Sequence, residues 1–396
     1  MYKRRFRAYL VSVLSAICVC LLSFVLSCPV VSTVVAKELK SNNELIIHFI
    51  DVGQGDATFV ELPSGETILI DGGESEYGEK VSDYISDLGY KKIDCVIATH
   101  SDSDHVGGLV NVLADFEVKS ILRPFVIASN ANPKDDLSTM GLTDSQILFD
   151  HNIAYTNFIN AVYKESYDGN NSKISTLSNK TIADVFMATS EPYFMIEVIY
   201  PFAENGYDRF TTPSGRTDGY KLELPADAND LSAIIYIATK KNKVLLMSDA
   251  SEKIENKLLD LTVVNNYLND RLKSVDLLKV AHHGSKNANT KAFLELCNPK
   301  FSVISVGPEN EYEHPNAEVL DRLSAVTSEV LRTDIDGTIV ARFLVDGNIE
   351  FSTSGRSSVK LIPESILYVF FGLLIVAIVV TSIIYTNKKK KKASSK

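Results

Sequence analysis

Short apolar, β-branched runs recur through the middle of the chain, each closed by a turn signal. "ELIIHFIDV" (44–52) is almost wholly apolar. "DATFVEL" (56–62) alternates, "PSGE" turns, and "TILIDGG" (67–73) returns, which predicts strands joined by tight turns. In "EKVSDYISDLG", Val81, Tyr84, Ile85 and Leu88 share one helical face and Gly89 ends it. "IDCVIAT" (93–99) is a buried strand, "VGGLVNVLADF" (106–116) a helix and "VKSILRP" (118–124) a strand. After about residue 228 the pattern resumes. "LSAIIYIAT" and "VLLMSD" form a hairpin, and "EKIENKLLDL" is helical. "VDLLKVAHHGS" is a strand running into a loop, "TKAFLELC" a helix, "FSVISVG" a strand and "PNAEVLDRLSAV" a helix. "TIVARFLVDGNIEFST" is a closing hairpin around Asp346 and Gly347. Two halves, each of strands followed by helices, predict an α/β protein built as an αββα sandwich. Residues 125 to 228 are polar, rich in Asn, Ser, Asp and Tyr, with one helical stretch near 146–163. They read as an insertion carrying loops over one edge of the core.

Both ends break this pattern. "MYKRRFR" precedes an uncharged apolar run from Ala8 to Ala36. Residues 1–36 therefore read as a signal peptide, with Val34 and Ala36 before the cut, or as an N-terminal anchor. Ile366 to Tyr385 is also uncharged and has about the twenty residues that cross a bilayer as a helix. Five lysines follow it, which predicts a cytoplasmic tail at 387–396. The expected order is an extracellular domain over 37–355, a tether over 356–365, a transmembrane helix over 366–386 and the tail.

The 396 residues carry a formal charge of −10. Basic residues cluster at both ends, so the middle is more acidic still, and long-range attraction alone does not draw it to a nucleic-acid backbone. Three of the five cysteines, Cys18, Cys20 and Cys28, fall in the leader. Cys95 and Cys297 remain, too few for a disulfide scaffold. Nothing in the sequence names a protein partner.

Candidate chemistry collects where apolar runs end. "THSDSDHVGG" sets His100, Asp102, Asp104 and His105 within six positions, ahead of a glycine pair. Alternation along extended backbone puts 100, 102 and 104 on one side, and His105 turns with the loop. Side chains this close suit two cations a few ångströms apart. Asp71 in "LIDGG" either orients a histidine ligand or is a turn aspartate. Asp249 in "MSD" either bridges two metals or caps the next helix. His282 and His283 leave a third strand end. His48 and His151 read as structural or surface residues.

"FIDVGQGDA", "LIDGG", "THSDSDHVGG", "VAHHGS" and "ENEYEHP" occur in the order found in the metallo-β-lactamase superfamily, and resemble its ComEC-type branch, the hydrolase domain of competence proteins. The resemblance covers about residues 46 to 352 outside the insertion. It implies that His100 and Asp102 hold one divalent metal, and Asp104 and His105 the second. Asp249 bridges, and His283, or in second place His282, completes the second site. Asp104 also orients the reacting water. Gln54 and Asp56 stand at the mouth, and Tyr312 and His314 contact substrate or the leaving oxygen. The implied catalytic residues are Asp104, Asp249 and His314. The implied cofactor is one or two zinc or manganese ions, and the implied substrate a phosphodiester of nucleic acid; the acidic charge leaves open a cell-envelope phosphodiester, such as a teichoic-acid substituent or lipid head group, in its place.

Three positions depart from the family pattern. Asp102 stands where histidine is usual, which hardens the site and favours manganese as much as zinc. No histidine lies between His151 and His282, so the third histidine station is missing, and Asp230 in "ANDLSA" is the nearest substitute. Ser248 replaces the usual glycine before the bridging aspartate, a mild change if the backbone there is extended.

Overall fold

A computed structural model of the chain describes residues 44–124, 126–132, 148–167, 172–177, 187–188, 194–201 and 228–355. The leader, the tether and the C-terminal apolar segment lie outside the described residues. Among the described residues no helix is long and apolar enough to cross a membrane.

The strands are β1 (Leu45–Phe49), β2 (Thr58–Glu61), β3 (Thr67–Ile70), β4 (Lys92–Ile97), β5 (Glu117–Arg123), β6 (Val126–Ala128), β7 (Leu148–Asp150), β8 (Lys173–Thr176), β9 (Met187–Ala188) and β10 (Phe194–Tyr200). They continue with β11 (Ile234–Thr239), β12 (Lys243–Leu246), β13 (Leu277–Lys279), β14 (Phe301–Ile304), β15 (Glu329–Arg332), β16 (Ile339–Phe343) and β17 (Ile349–Thr353). One sheet runs β17-β16-β1-β2-β3-β4-β5-β8 and the other β15-β14-β13-β12-β11-β10-β9, while β6 and β7 pair apart. Each large sheet is antiparallel on one side and parallel on the other, β3 to β5 with β8 in the first and β12 to β15 in the second. Parallel neighbours need crossovers, and helices supply them. In the first sheet these are α1 (Gly78–Asp87), α2 (Ser103–Val106), α3 (Leu109–Asp115) and α4 (Ile153–Tyr167). In the second they are α5 (Glu252–Val264), α6 (Asn266–Leu272), α7 (Lys291–Cys297) and α8 (Ala317–Ala325).

Three apolar layers follow from strand periodicity. In β11, Ile235 and Ile237 face inward to meet Ile47, Val60, Ile68 and Ile97 of the first sheet. Its alternate residues Ile234, Tyr236 and Ala238 pack with Leu258, Leu268 and Phe293 of the helices on the second sheet. Phe59, Leu69 and Val96 lie under Val81, Ile85, Val112 and Phe158 on the other outer face. A strand covered on both faces reads as a continuous apolar run, which is why "IIYIAT" shows no alternation. The αββα sandwich is therefore present. Cys95 is a core residue, and burial pushes its thiol up to about 12.

The polar stretch 125–228 is more than an edge insertion. Its β10 pairs along its length with β11, β8 extends the first sheet beside β5, and Tyr155, Phe158 and Val162 of α4 are buried in the outer core. Composition averaged over a hundred residues hid these short apolar elements between polar connections.

Candidate metal centre

Strands β3, β4, β12, β13 and β14 all end at one rim of the sandwich, and the next residues carry the candidate chemistry. Open parallel sheets place ligands at the carboxyl ends of their strands. The region around His100 does not run on as strand. β4 stops at Ile97, Asp102 is extended, and Ser103–Val106 form one helical turn. Asp104 and His105 thus enter from helix, and close backbone packing holds that turn. The Asp56 N–H donates to the Asp104 carbonyl at 3.0 Å and the Gly72 N–H to the His105 carbonyl at 2.7 Å. A Cβ on Gly108 would lie 2.0 Å from the Gly72 oxygen, and one on Gly55 would lie 2.4 Å from the Asp104 oxygen. The glycines of "GQGD" and "HVGG" are needed for this approach.

Three buried histidines converge on Asp249. His105 Nδ1 lies 2.8 Å from Asp71 Oδ2 and its Nε2 3.3 Å from Asp249 Oδ1. His283 donates from Nδ1 to the Ser305 carbonyl at 2.8 Å, and its Nε2 sits 3.2 Å from Asp104 Oδ2 and 3.5 Å from Asp249 Oδ2. His100 is wholly buried, with Nδ1 3.1 Å from Thr99 Oγ1. The Nε2 atoms of all three, with Asp249 Oδ1, are buried and without a hydrogen-bond partner. Buried polar atoms are normally satisfied, so four orphans facing one point need a missing partner. Ligand atoms of His100, His105 and Asp249 lie within 4.8 Å of one another, as do those of Asp104, His105 and His283. Imidazole and carboxylate donors with outward nitrogens tied to protein acceptors suit a divalent ion such as zinc or manganese.

Electrostatics agree with this fit. Burial would raise the Asp249 carboxyl, yet His283 and His105 hold it well below the carboxylate range. Asp104 is likewise held low, by His105 and His283 against burial. Burial alone would lower both imidazoles, but the carboxylates outweigh it: His105 stands well above its ordinary value and His283 is pushed up to about 9. The cluster demands positive charge, and without a cation it takes protons instead.

Other candidates divide. Asp71 accepts from the Thr99 N–H at 2.8 Å and orients His105. Asp249 does not cap the following helix, because Ser251 holds the position before α5. Asp102 Oδ2 is 3.6 Å from His100 Nε2, but the side chain is 38% exposed and stands outside both clusters. Asp230 is no stand-in for the missing histidine: Ser251 Oγ donates to one of its oxygens at 2.5 Å and Lys253 Nζ to the other at 2.9 Å. His282, partly exposed, points Nε2 at Asp249 Oδ2 across 3.6 Å. At the rim, the Gly307 N–H donates to Gln54 Oε1 at 3.2 Å. Tyr312 is 59% exposed and stacks on His314, whose ring is 5.7 Å from that of His282. Burial, then His283 and His282, lower His314 to about 4. His48 is structural, set between Tyr84 and Glu61, while His151 contacts Ser129 at the surface.

Two further expectations change. Asp56 is not at the mouth. It is buried and ion-paired with Lys279 of β13, beneath His283 and His105, whose Nδ1 atoms lie 3.6 and 3.8 Å away. Lys279 was detectable as the one charge inside the apolar run "LLKVA", a burial normally seen only with a partner. Ser248 is not extended. Its φ is +47°, a left-handed conformation uncommon outside glycine, and its hydroxyl donates to Thr99 Oγ1 at 2.7 Å.

The family model for the metallo-β-lactamase superfamily matches residues 50–144, which hold Asp56, Asp71 and the whole "THSDSDHVGG" turn. Over those residues the chain matches a metallo-β-lactamase domain. Its relatives are competence proteins of the ComEC type. It is 27% identical over 314 residues to ComE operon protein 3 of Bacillus subtilis (strain 168), covering 75% of this chain and 33% of that protein. It is 24% identical over 302 residues to Recombination protein 2 of Haemophilus influenzae, covering 75% of this chain and 29% of that one. A third, Competence protein ComA of Neisseria gonorrhoeae, is 29% identical over 113 residues, 28% of this chain and 15% of that protein. The chain spans about a third or less of these relatives' own lengths.

Proposed function

We propose that this protein is a membrane-anchored, outward-facing metal-dependent hydrolase that cleaves phosphodiester bonds. The observation that carries the proposal is the set of orphaned Nε2 atoms of His100, His105 and His283 around Asp249 and Asp104. His100 and Asp249, with Asp102 beside His100, would hold one ion. Asp104, His105, His283 and Asp249 would hold the other. Ions there supply Lewis acidity, stabilising negative charge on a phosphoryl oxygen during hydrolysis. The chain's own residues do the rest. Asp104, ionised and one-quarter exposed, accepts a hydrogen bond from an attacking water and orients it. His314, neutral near pH 7, offers a ring N–H to the leaving oxygen, and the Tyr312 ring covers that side. Asp71 and Ser305 keep His105 and His283 in position through catalysis.

Kinship to competence proteins supports a nucleic-acid substrate. The exposed Glu309, Glu311 and Glu313 around Tyr312 favour a second reading, a cell-envelope phosphodiester such as a teichoic-acid substituent or lipid head group that carries a cationic group. The test is metal analysis of the purified protein, joined to assays with zinc or manganese on bis-(p-nitrophenyl) phosphate, linear single- and double-stranded DNA, and a choline phosphodiester. Bound metal with cleavage of DNA supports the nuclease. Cleavage of the choline diester but not DNA supports the envelope reading. A folded protein that binds no metal, cleaves nothing and is unchanged by Asp104→Ala with His105→Ala is a binding module, and the hydrolase proposal falls.

A further inference from the structure

Thr99 stands between two of the site histidines, and the number of its hydrogens decides its role. Its Oγ1 lies 2.7 Å from Asp71 Oδ2, 2.7 Å from Ser248 Oγ and 3.1 Å from His100 Nδ1. A carboxylate only accepts, so the single hydroxyl hydrogen of Thr99 goes to Asp71. The oxygen then has only lone pairs to offer its other neighbours. Ser248 fills one by donating, and the other faces His100 Nδ1, which must carry the hydrogen. The lone pair of His100 is left on Nε2, the buried orphan atom nearest Asp102. The same Asp71 oxygen receives His105 Nδ1 at 2.8 Å.

We propose that Thr99, latched by Ser248, is the positioning residue of His100, so that one buried carboxylate, Asp71, fixes the tautomer of His105 directly and that of His100 through a threonine hydroxyl. Ser248 earns its place in this relay. It keeps a side chain at a φ of +47°, its hydroxyl holds Thr99, and its carbonyl accepts from the His282 N–H at 2.8 Å. A strained residue persists only where its surroundings over-determine it. Glycine would remove the strain but also the latch. The effect on metal binding rests on the metal-centre reading above. The tautomer itself rests on the hydrogen-bond count alone.

The test is the tautomer of His100 in the full-length, metal-free protein, read from long-range 1H–15N correlations of 15N-labelled histidine and assigned with His100→Gln. The expected state of the parent is Nδ1–H. Thr99→Val keeps the shape and removes the hydroxyl. Ser248 Oγ, 3.5 Å from His100 Nδ1, then loses its acceptor and donates to that nitrogen, moving the histidine hydrogen to Nε2. Thr99→Ser restores Nδ1–H, and Ser248→Ala leaves it in place. In parallel, Thr99→Val weakens uptake of one zinc or manganese ion about 10- to 100-fold, and Thr99→Ser recovers it. Nε2–H in the parent, a result that needs no variant, overturns the proposal. So does an unchanged tautomer or an unchanged metal affinity in a folded Thr99→Val. If the tautomers follow expectation and no variant or parent binds metal, the metal-centre reading fails and the positioning of His100 stands.

Discussion

Lys279→Met isolates the charge beneath the site. The Lys279 and Asp56 side chains are each 3% exposed and paired between the two sheets. Removing the ammonium strands a carboxylate in the interior, at a cost of about 3–5 kcal/mol for a broken buried pair. A chain of this size unfolds in urea with a slope near the upper end of the usual range, about 3 kcal/mol per M. The urea midpoint of Lys279→Met should therefore fall by about 1–1.7 M, from those values. Asp56 then turns to its remaining cationic neighbours, His283 Nδ1 at 3.6 Å and His105 Nδ1 at 3.8 Å, and competes with Ser305 and Asp71 for them. Lys279→Met with Asp56→Asn removes the stranded charge, and should recover about 1–3 kcal/mol of the loss in a double-mutant cycle. The assay is urea unfolding of the chelator-treated protein, so that metal release adds nothing. A single variant within about 1 kcal/mol of the parent, or a double variant no better than the single, refutes the assignment of Lys279 as the neutralising partner.

Three further outcomes are expected. Glu255 is fully buried and receives the Asn289 and Thr290 N–H groups, but burial dominates and raises its carboxyl to about 6 from 4.5. The folded state then binds the extra proton, so stability is lost as pH rises through that window. Glu255→Gln should gain about 2 kcal/mol on the parent between about pH 4 and about pH 7, and a pH-independent difference in unfolding free energy would contradict this. Gly108→Ala puts a methyl 2.0 Å from the Gly72 carbonyl and must displace the turn carrying Asp104 and His105. It should lose more than about 2 kcal/mol and release metal, measured by melting and metal content. Metal must displace the proton that His283 holds up to about 9 and the one that His105 holds as well, so zinc affinity should fall by up to about tenfold per pH unit for each proton displaced. Flat affinity between about pH 6 and about pH 8 in competition titrations would remove His283 from the ligand set.

Much of the molecule was written in local pattern. Apolar runs such as "TILI" and "VLL" became β3 and β12, and the helix face of Val81 and Ile85 is buried as their spacing predicts. The candidates His100, Asp104, His105, Asp249 and His283, which the fold gathers in one place, were legible because histidine and aspartate side chains followed apolar strands. Asp71 was legible only as an alternative, since a turn aspartate and an orienting one share the same neighbours in sequence.

What needed the tertiary structure was everything set by contact between distant segments. Asp56 and Lys279 are 223 positions apart, and only the packing of one sheet on the other makes one a burial partner for the other. Asp230 looked free to bind metal until Ser251 and Lys253 were seen to hold both its oxygens. The 125–228 stretch declared its polarity in sequence but not the pairing of β10 with β11, because register depends on the partner strand. Ser248 reads as an ordinary substitution for glycine. Its left-handed backbone and its bond to Thr99 exist only where the ends of β4 and β12 meet. Side-chain chemistry and short-range periodicity chose the elements and the ligand types. Long-range packing chose which oxygen faces which nitrogen, and so which residues can share a metal.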